Sequence, residues 1–232
     1  MDEIDLGRGA SVWVADGGYR FTQDSVLLAN LAPAGTRDRV LDLGCGMGIV
    51  GLLLLLKRGV REVVGLDIDS SACELARENA AKCGVDGRYR AVCRDVRGAE
   101  EELGHGGFDK VVCNPPYFAF DDGDGGGRHA SSKREGEAVL EDFVTAGAKC
   151  LRFGGDFSLV MRADRLADAV CAMRAAALEP KKLCMIYPRA DKPASAFVLT
   201  ARKGGKAGLT VSCLVTEGED GKPSREMEEL LK

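Results

Sequence analysis

Val40-Leu-Asp-Leu-Gly-Cys-Gly-Met-Gly-Ile49 is the stretch on which the fold turns. An apolar run, Val40 to Leu43, meets glycines at 44, 46 and 48, and Ile49-Val-Gly-Leu-Leu-Leu-Leu-Leu56 follows with no breaker but Gly51. The pattern predicts a buried strand, a tight turn and a helix. Glycine tolerates positive φ and lets a ligand approach the backbone closely, while a helix N-terminus presents unpaired N–H groups. A flat, polar ligand can therefore lie across the strand end. A dinucleotide fingerprint would place its glycines at 44, 46 and 49; here the third is Gly48 and position 49 is a bulky Ile, which argues against NAD.

The units that follow repeat the pattern. Glu62-Val-Val-Gly-Leu-Asp67 is a second apolar strand ending in an acid, and Asp67 lies 23 residues beyond Gly44. That is close to the spacing of about 20 at which a carboxylate reaches a ribose diol across neighbouring parallel strands. Asp69, Ser70 and Ser71 are better placed than Asp67 to cap the next helix, Cys73 to Cys83, which ends at Gly84. A third strand, Tyr89 to Cys93, leads to Asp95, and a fourth, Phe108 to Cys113, runs into Asn114-Pro-Pro-Tyr117. Strands alternating with helical patterns predict a mostly parallel sheet with helices on both faces, and such sheets bind ligands just beyond the carboxyl ends of their strands.

Asn114-Pro-Pro-Tyr117 reads as a grip on an amine. An exocyclic amine conjugated to an aromatic ring is a poor nucleophile because its lone pair is delocalised. If the side-chain oxygen of Asn114 and the main-chain carbonyl of Pro115 each accept one N–H, the nitrogen is drawn towards tetrahedral geometry and its lone pair can be aimed. Pro115 and Pro116 stiffen that carbonyl by fixing φ and restricting the residue before each. Tyr117 and Phe118 are expected to stack on the flat substrate.

Composition bounds the class. With 232 residues, 45% apolar and 29% charged, the chain fits an ordinary globular domain with small additions. No apolar run reaches the roughly 18 residues a membrane span needs, and the acidic start, Met1-Asp-Glu-Ile-Asp5, carries no signal-peptide pattern, so a cytoplasmic protein is expected. The nine cysteines are scattered with no Cys-x-x-Cys pair, and with only His105 and His129 no metal site is expected. The net charge of −4 is unevenly spread: from Lys149 to Lys206 there are twelve basic residues against five acidic ones. A basic half on an acidic protein fits either nucleic-acid contact or a plain solvated face.

The flanks complete the outline. Ser11-Val-Trp-Val14 and Tyr19-Arg-Phe21 across Asp16-Gly-Gly18 read as a hairpin, and Thr22 to Ser25 as the cap of a helix through Leu31. Residues 1–36 are thus expected to form an N-terminal hairpin and helix cap, 37–206 the main domain, and 207–232 an edge strand, Leu209 to Val215, with a charged tail. Between Phe118 and Leu140 lies Asp121-Asp-Gly-Asp-Gly-Gly-Gly127, either a substrate lid or plain disorder. Helices are expected at Leu140 to Leu151 and Ala163 to Ala177, a strand at Asp156 to Met161, and a closing hairpin of Leu183 to Tyr187 with Ala196 to Ala201.

The Asp42-to-Gly48 form resembles motif I of the S-adenosylmethionine-dependent methyltransferases, and with Asn-Pro-Pro-Tyr the chain is similar to their amino-methylating class over nearly its whole length. More narrowly it resembles the small bacterial enzymes that methylate the 6-amino group of an adenine next to the anticodon of valine tRNA. The matching features are Gly18-Tyr-Arg-Phe-Thr-Gln-Asp-Ser-Val-Leu-Leu-Ala29, Asn114 to Phe118, Leu140-Glu-Asp142, and Tyr187-Pro-Arg189 with Lys192-Pro193. The chain departs from them at Ser132-Lys-Arg-Glu135, where they commonly carry Ala-Arg-His-Glu, and this leaves the RNA target open.

The resemblance implies a Rossmann-like class I methyltransferase fold with a seven-stranded sheet and a C-terminal antiparallel hairpin. It implies S-adenosylmethionine as cofactor, held by Asp42, Gly44, Cys45, Gly46, Gly48, Asp67, Ile68, Asp95, Val96 and Asn114. In the family the first acid, here Asp42, holds the cofactor's amino group directly or through water. Asp95 is expected either to read the cofactor's adenine amino group or simply to form a turn. Catalysis falls to Asn114, Pro115, Pro116 and Tyr117, and substrate contact to Tyr117, Phe118, Arg128, Lys133 and Arg134. The expected partner is RNA, most simply tRNA, and the expected state a monomer or weak homodimer. The alternatives are methylation of a protein glutamine, as on release factors, whose enzymes carry a long helical N-terminal domain where fewer than forty residues precede Val40 here, a non-catalytic adenosyl- or RNA-binding module, and a nicotinamide oxidoreductase.

Overall fold

The computed structural model describes residues 2–7, 10–14, 23–115, 138–218 and 220–231. The chain begins with β1 (Asp2–Gly7), β2 (Ala10–Val14) and α1 (Gln23–Leu31). Then come β3 (Arg39–Leu43), α2 (Ile49–Leu53), β4 (Glu62–Asp67), α3 (Ser70–Lys82), β5 (Tyr89–Cys93), α4 (Ala99–Leu103), β6 (Phe108–Cys113), α5 (Leu140–Cys150), β7 (Leu151–Arg162) and α6 (Leu166–Ala175). The last elements are β8 (Leu178–Tyr187), β9 (Ala196–Lys203), β10 (Thr210–Val215) and α7 (Arg225–Leu231).

Eight of these strands form one sheet in the order β10-β8-β9-β7-β6-β3-β4-β5. It holds the seven anticipated strands plus the edge strand β10, which pairs parallel to β8 from Thr210↔Lys182 to Val215↔Tyr187. Strands β5, β4, β3, β6 and β7 run parallel, and β9 lies antiparallel between β7 and β8. Every strand but β9 therefore delivers its carboxyl end to the same edge, where a ligand site is expected in such sheets.

Both faces of the sheet are covered, as a parallel sheet requires. Successive side chains point to opposite faces, so Leu41 and Leu43 pack with Val64, Leu66, Phe108 and Phe157 under α5, while Val40 and Val63 pack with Leu52, Leu53, Cys73 and Ala76 of the α2 and α3 layer. A smaller cluster of Leu27, Ile186, Ala196, Leu214 and Met227 binds α1 and α7 to the hairpin end of the sheet. Asp69 caps α3, accepting from Ser71 N at 2.8 Å, and Gly84 follows the helix at φ +67°.

Three expectations are corrected at the flanks. Strand β2 pairs with Asp2–Gly7, before it in the chain, and Tyr19–Phe21 lies outside the described residues. The alternation Glu3-Ile4-Asp5-Leu6 is a strand pattern hidden in an acidic start, and Ile4 and Leu6 pack on the α2 and α3 layer. The charged tail contains α7, because Met227 and Leu230 share a face that packs against α1 and β10. Strands β7 and β8 also start five residues earlier than read, at Leu151 and Leu178. The glycine-rich segment at 121–127 lies outside the described residues. No helix among the described residues is long and apolar enough to cross a membrane.

Gly147 of α5 tests how tightly the helix layer is seated. A Cβ there would fall 2.3 Å from Cε2 of Phe157 and 3.0 Å from Cδ1 of Leu43, both fully buried. Overpacking of about 1–3 kcal/mol outweighs the gain in helix propensity of about 1 kcal/mol. Gly147→Ala is expected to lower Tm by about 2–8 °C in a thermal melt; an unchanged or raised Tm would show that α5 has room to lift.

Candidate active site

Register brings the two motifs together. Leu43 pairs with Cys113 on one side and Leu66 on the other, and Asp67 pairs with Cys93. The residues that follow these strands, Gly44, Ile68 and Asn114 among them, thus emerge side by side. A Cβ on Gly44 would lie 3.8 Å from the Asn114 carbonyl oxygen and 3.4 Å from the Phe143 ring of α5.

The glycine turn is laced to its neighbour strand. The N–H groups of Gly44 and Cys45 both donate to the Leu66 carbonyl, at 2.8 and 3.1 Å. Gly46 N donates to Asp67 Oδ2 at 2.8 Å, and Asp69 N to Oδ1 at 3.0 Å. Gly44, Gly46 and Gly48 all have positive φ, at 69°, 51° and 89°. A Cβ on Gly46 would meet nothing within 4 Å, so the turn has one open face.

Beside that face, Asp67 is half-buried, and each of its oxygens spends one lone pair on the backbone and keeps capacity for another donor. The next residue, Ile68, is 69% exposed, an isolated large apolar side chain at the lip. An open cradle, an acid with spare acceptors and an exposed aliphatic surface fit a ligand that has hydroxyl groups and a flat apolar ring.

Of the other expected residues, Asp42, Cys45 and Val96 are buried and Asp95 is half-buried. Asp42 is 1% exposed, beneath the turn, and its Oδ2 accepts the otherwise orphaned N–H of Gly51 in α2 at 3.0 Å. Burial raises its carboxyl, the Gly51 N–H opposes this, and the Asp67 charge adds to it, leaving the group pushed up to about 7. Asp42 thus braces the turn from beneath. The Cys45 side chain is buried against Gly65, and Val96 is buried in the core. Asp95 is gripped by Arg97, with Nε at 3.0 and 3.1 Å and the Arg97 N–H at 2.8 Å, and this pairing holds its carboxyl below the usual range. Among the described residues, no group of three or more His, Cys, Asp or Glu is set to hold a metal ion.

Asn114 is half-buried and Pro115 buried. Asn114 Nδ2 donates to Ser25 Oγ of α1 at 3.0 Å, and its Oδ1 accepts from none of the described residues. Pro116, Tyr117, Phe118, Arg128, Lys133 and Arg134 lie outside the described residues.

Two residues were missed in the sequence. Tyr89 is buried under the turn, where a Cβ on Gly48 or Gly65 would fall 2.9 or 2.5 Å from its hydroxyl. A glycine inside an apolar strand, here Gly65, was the available sign of such an approach. Ser25 reads as part of a helix cap and of the Gly18-to-Ala29 stretch that carries the resemblance, and nothing local marks its reach to a residue 89 positions away.

Residues 20–176 match the family model described as Methyltransferase small domain. A protein of Shewanella sp. (strain MR-4) named tRNA1(Val) (adenine(37)-N6)-methyltransferase is 25% identical over 217 residues, 93% of this chain and 91% of its own length. One of the same name from Bacteroides fragilis is 25% identical over 183 residues, 79% and 77% of the two chains. The crystal structure of a predicted O-methyltransferase from Agrobacterium tumefaciens superposes with a TM-score of 0.74 at 23% identity, covering 90% of this chain and 95% of that one. At that identity it speaks for the fold alone.

The state of Asp42 sets a pH dependence. An acid raised from 3.8 to about 7 in the fold keeps a proton that the unfolded chain has lost. Its contribution to stability, on the order of 4 kcal/mol, is fully present below pH 4 and lost as pH rises through 7. Wild-type Tm is expected to fall relative to that of Asp42→Asn between about pH 4.5 and 7.5, the interval set by the unfolded and folded values, measured in parallel melts; equal slopes would place the titration elsewhere.

Proposed function

The chain belongs to the methyltransferase small domain family, and from that premise we propose that it moves a methyl group from S-adenosylmethionine to the 6-amino group of an adenine in tRNA, next to the anticodon. The observation that carries this reading is an asparagine at a strand end beside the glycine turn, with its amide oxygen unclaimed by the described residues. The names of the relatives support the choice of adenine in tRNA. We take the enzyme to work in the cytoplasm.

When bound, S-adenosylmethionine supplies an electrophilic methyl group on a sulfonium. In this reading the spare acceptors of Asp67 would take the cofactor's ribose hydroxyls, Ile68 would pack on its adenine, and the main chain of Gly44, Gly46 and Gly48 would hold its methionine part.

Asn114 Oδ1 and the Pro115 carbonyl each accept one N–H of the target amine, so the nitrogen pyramidalises and its lone pair takes one direction. Tyr117 stacks on the base. No general base is needed at the outset, because the amine gives up its proton only after it has become cationic. The work of the site is orientation, which supplies about 7–11 kcal/mol where the geometry is near-attack.

The charge distribution supports an RNA substrate. Arg162, Arg165, Arg189 and Lys192 follow or end β7 and β8, whose carboxyl ends share the edge of Asn114. The three arginines pair with Asp164, Asp168 and Asp191 at 2.9, 2.6 and 3.1 Å. The Arg162 and Arg189 pairs are exposed and such pairs are weak, so a phosphate competes for either guanidinium through bidentate hydrogen bonds.

Incubation with cofactor labelled in its methyl group and unmodified tRNA is expected to label the RNA, with 6-methyladenosine as the product on nucleoside mass spectrometry. Asn114→Ala should lower kcat by about 100-fold or more and leave cofactor affinity within about twofold. Label in a protein glutamine instead of RNA, or full turnover by the variant, would contradict the reading.

A further inference from the structure

An asparagine amide has two ends, and only one of them suits an amine. The target nitrogen brings two N–H donors and one lone pair. If Nδ2 faced it, donor would meet donor, or the amide would take the lone pair that the reaction needs. Something other than the substrate must therefore hold Nδ2.

We infer that Ser25 is the positioning residue for Asn114: its hydroxyl takes the amide's nitrogen end and so turns the oxygen end towards the substrate amine. The inference rests on the function proposed above and adds to it a residue far from both sequence motifs.

Three observations carry it. Asn114 Nδ2 lies 3.0 Å from Ser25 Oγ, its one side-chain hydrogen bond to the described residues. Ser25 is only 7% exposed, so bulk water competes weakly for the bond.

The helix that carries Ser25 is held on several sides. Leu27 packs with Ile186, Ala196, Leu214 and Met227, and Leu28 with the α2 and α3 layer. Gln23 Nε2 reaches Met227 Sδ at 3.9 Å at one end of α1, and the Arg58 guanidinium donates to the Asn30 carbonyl at the other. A side chain on so fixed a helix has little freedom to follow the amide if it rotates. The N-terminal segment thereby contributes to the chemistry of an edge otherwise built from strand ends.

The test is steady-state methylation of tRNA by wild-type, Ser25→Ala and Ser25→Thr, with cofactor affinity by calorimetry and Tm measured on each. Alanine is the better helix former, so loss of α1 is not expected. Ser25→Ala should lower kcat about tenfold, the kinetic equivalent of one hydrogen bond, with KM for tRNA and cofactor affinity within about twofold. Ser25→Thr, which keeps a hydroxyl, should recover most of kcat. An unchanged kcat in Ser25→Ala overturns the inference. So does a loss that tracks cofactor affinity or Tm and is not recovered by threonine. Wild-type protein that labels no RNA overturns the proposed function itself, a result distinct from an active wild-type matched by Ser25→Ala.

Discussion

The parallel pairing of β3 with β6 is the constraint on which the site depends. With Leu43 opposite Cys113, the glycine turn and Asn114 leave the sheet at the same level, although seventy residues separate them. A one-residue slip would carry Leu41 and Leu43 to the opposite face of the sheet, into packing shaped for Val40 and Val63, and lift one motif past the other. Leu41, Leu43, Val111 and Cys113 are all essentially buried, so the hydrophobic effect that seats the sheet also sets the distance between the two halves of the site.

Beneath the turn the packing leaves little slack. Tyr89 fills the space that side chains at positions 48 and 65 would take, Cys45 lies against Gly65, and Asp42 ties the first turn of α2. The open face of Gly46 therefore sits on a rigid floor. A buried carboxyl pushed up to about 7 is a cost of that arrangement, and a cationic ligand above it would favour the ionised form and offset part of the cost. Pre-formed sites of this kind bind without an ordering penalty in the turn itself.

Much of this was legible in the chain. Val40 to Leu43, Glu62 to Asp67 and Phe108 to Cys113 read as strands because a sheet covered on both faces needs continuous apolar runs, and Asp67 and Asn114 were placed at their ends by position alone. Relations that depend on side-chain direction were not legible. Asp42 is buried beneath the turn, and a linear motif does not say which side of a turn an acid occupies. The tie from Ser25 to Asn114 spans 89 residues and leaves no periodic trace. The N-terminal strand was hidden because charge obscured the alternation of Ile4 and Leu6, and α7 because a charged tail carries too few apolar residues to show a helical period.

The central claim is geometric: an amide oxygen and a proline carbonyl hold the two hydrogens of one amine. The most direct measurement is a crystal structure with S-adenosylhomocysteine and an adenine nucleotide bound. The account predicts the 6-amino nitrogen within about 3.2 Å of both Asn114 Oδ1 and the Pro115 carbonyl oxygen, with Nδ2 still on Ser25. An amine beyond hydrogen-bond reach of both, or Asn114 Oδ1 turned to Ser25 with Nδ2 facing the base, would contradict it.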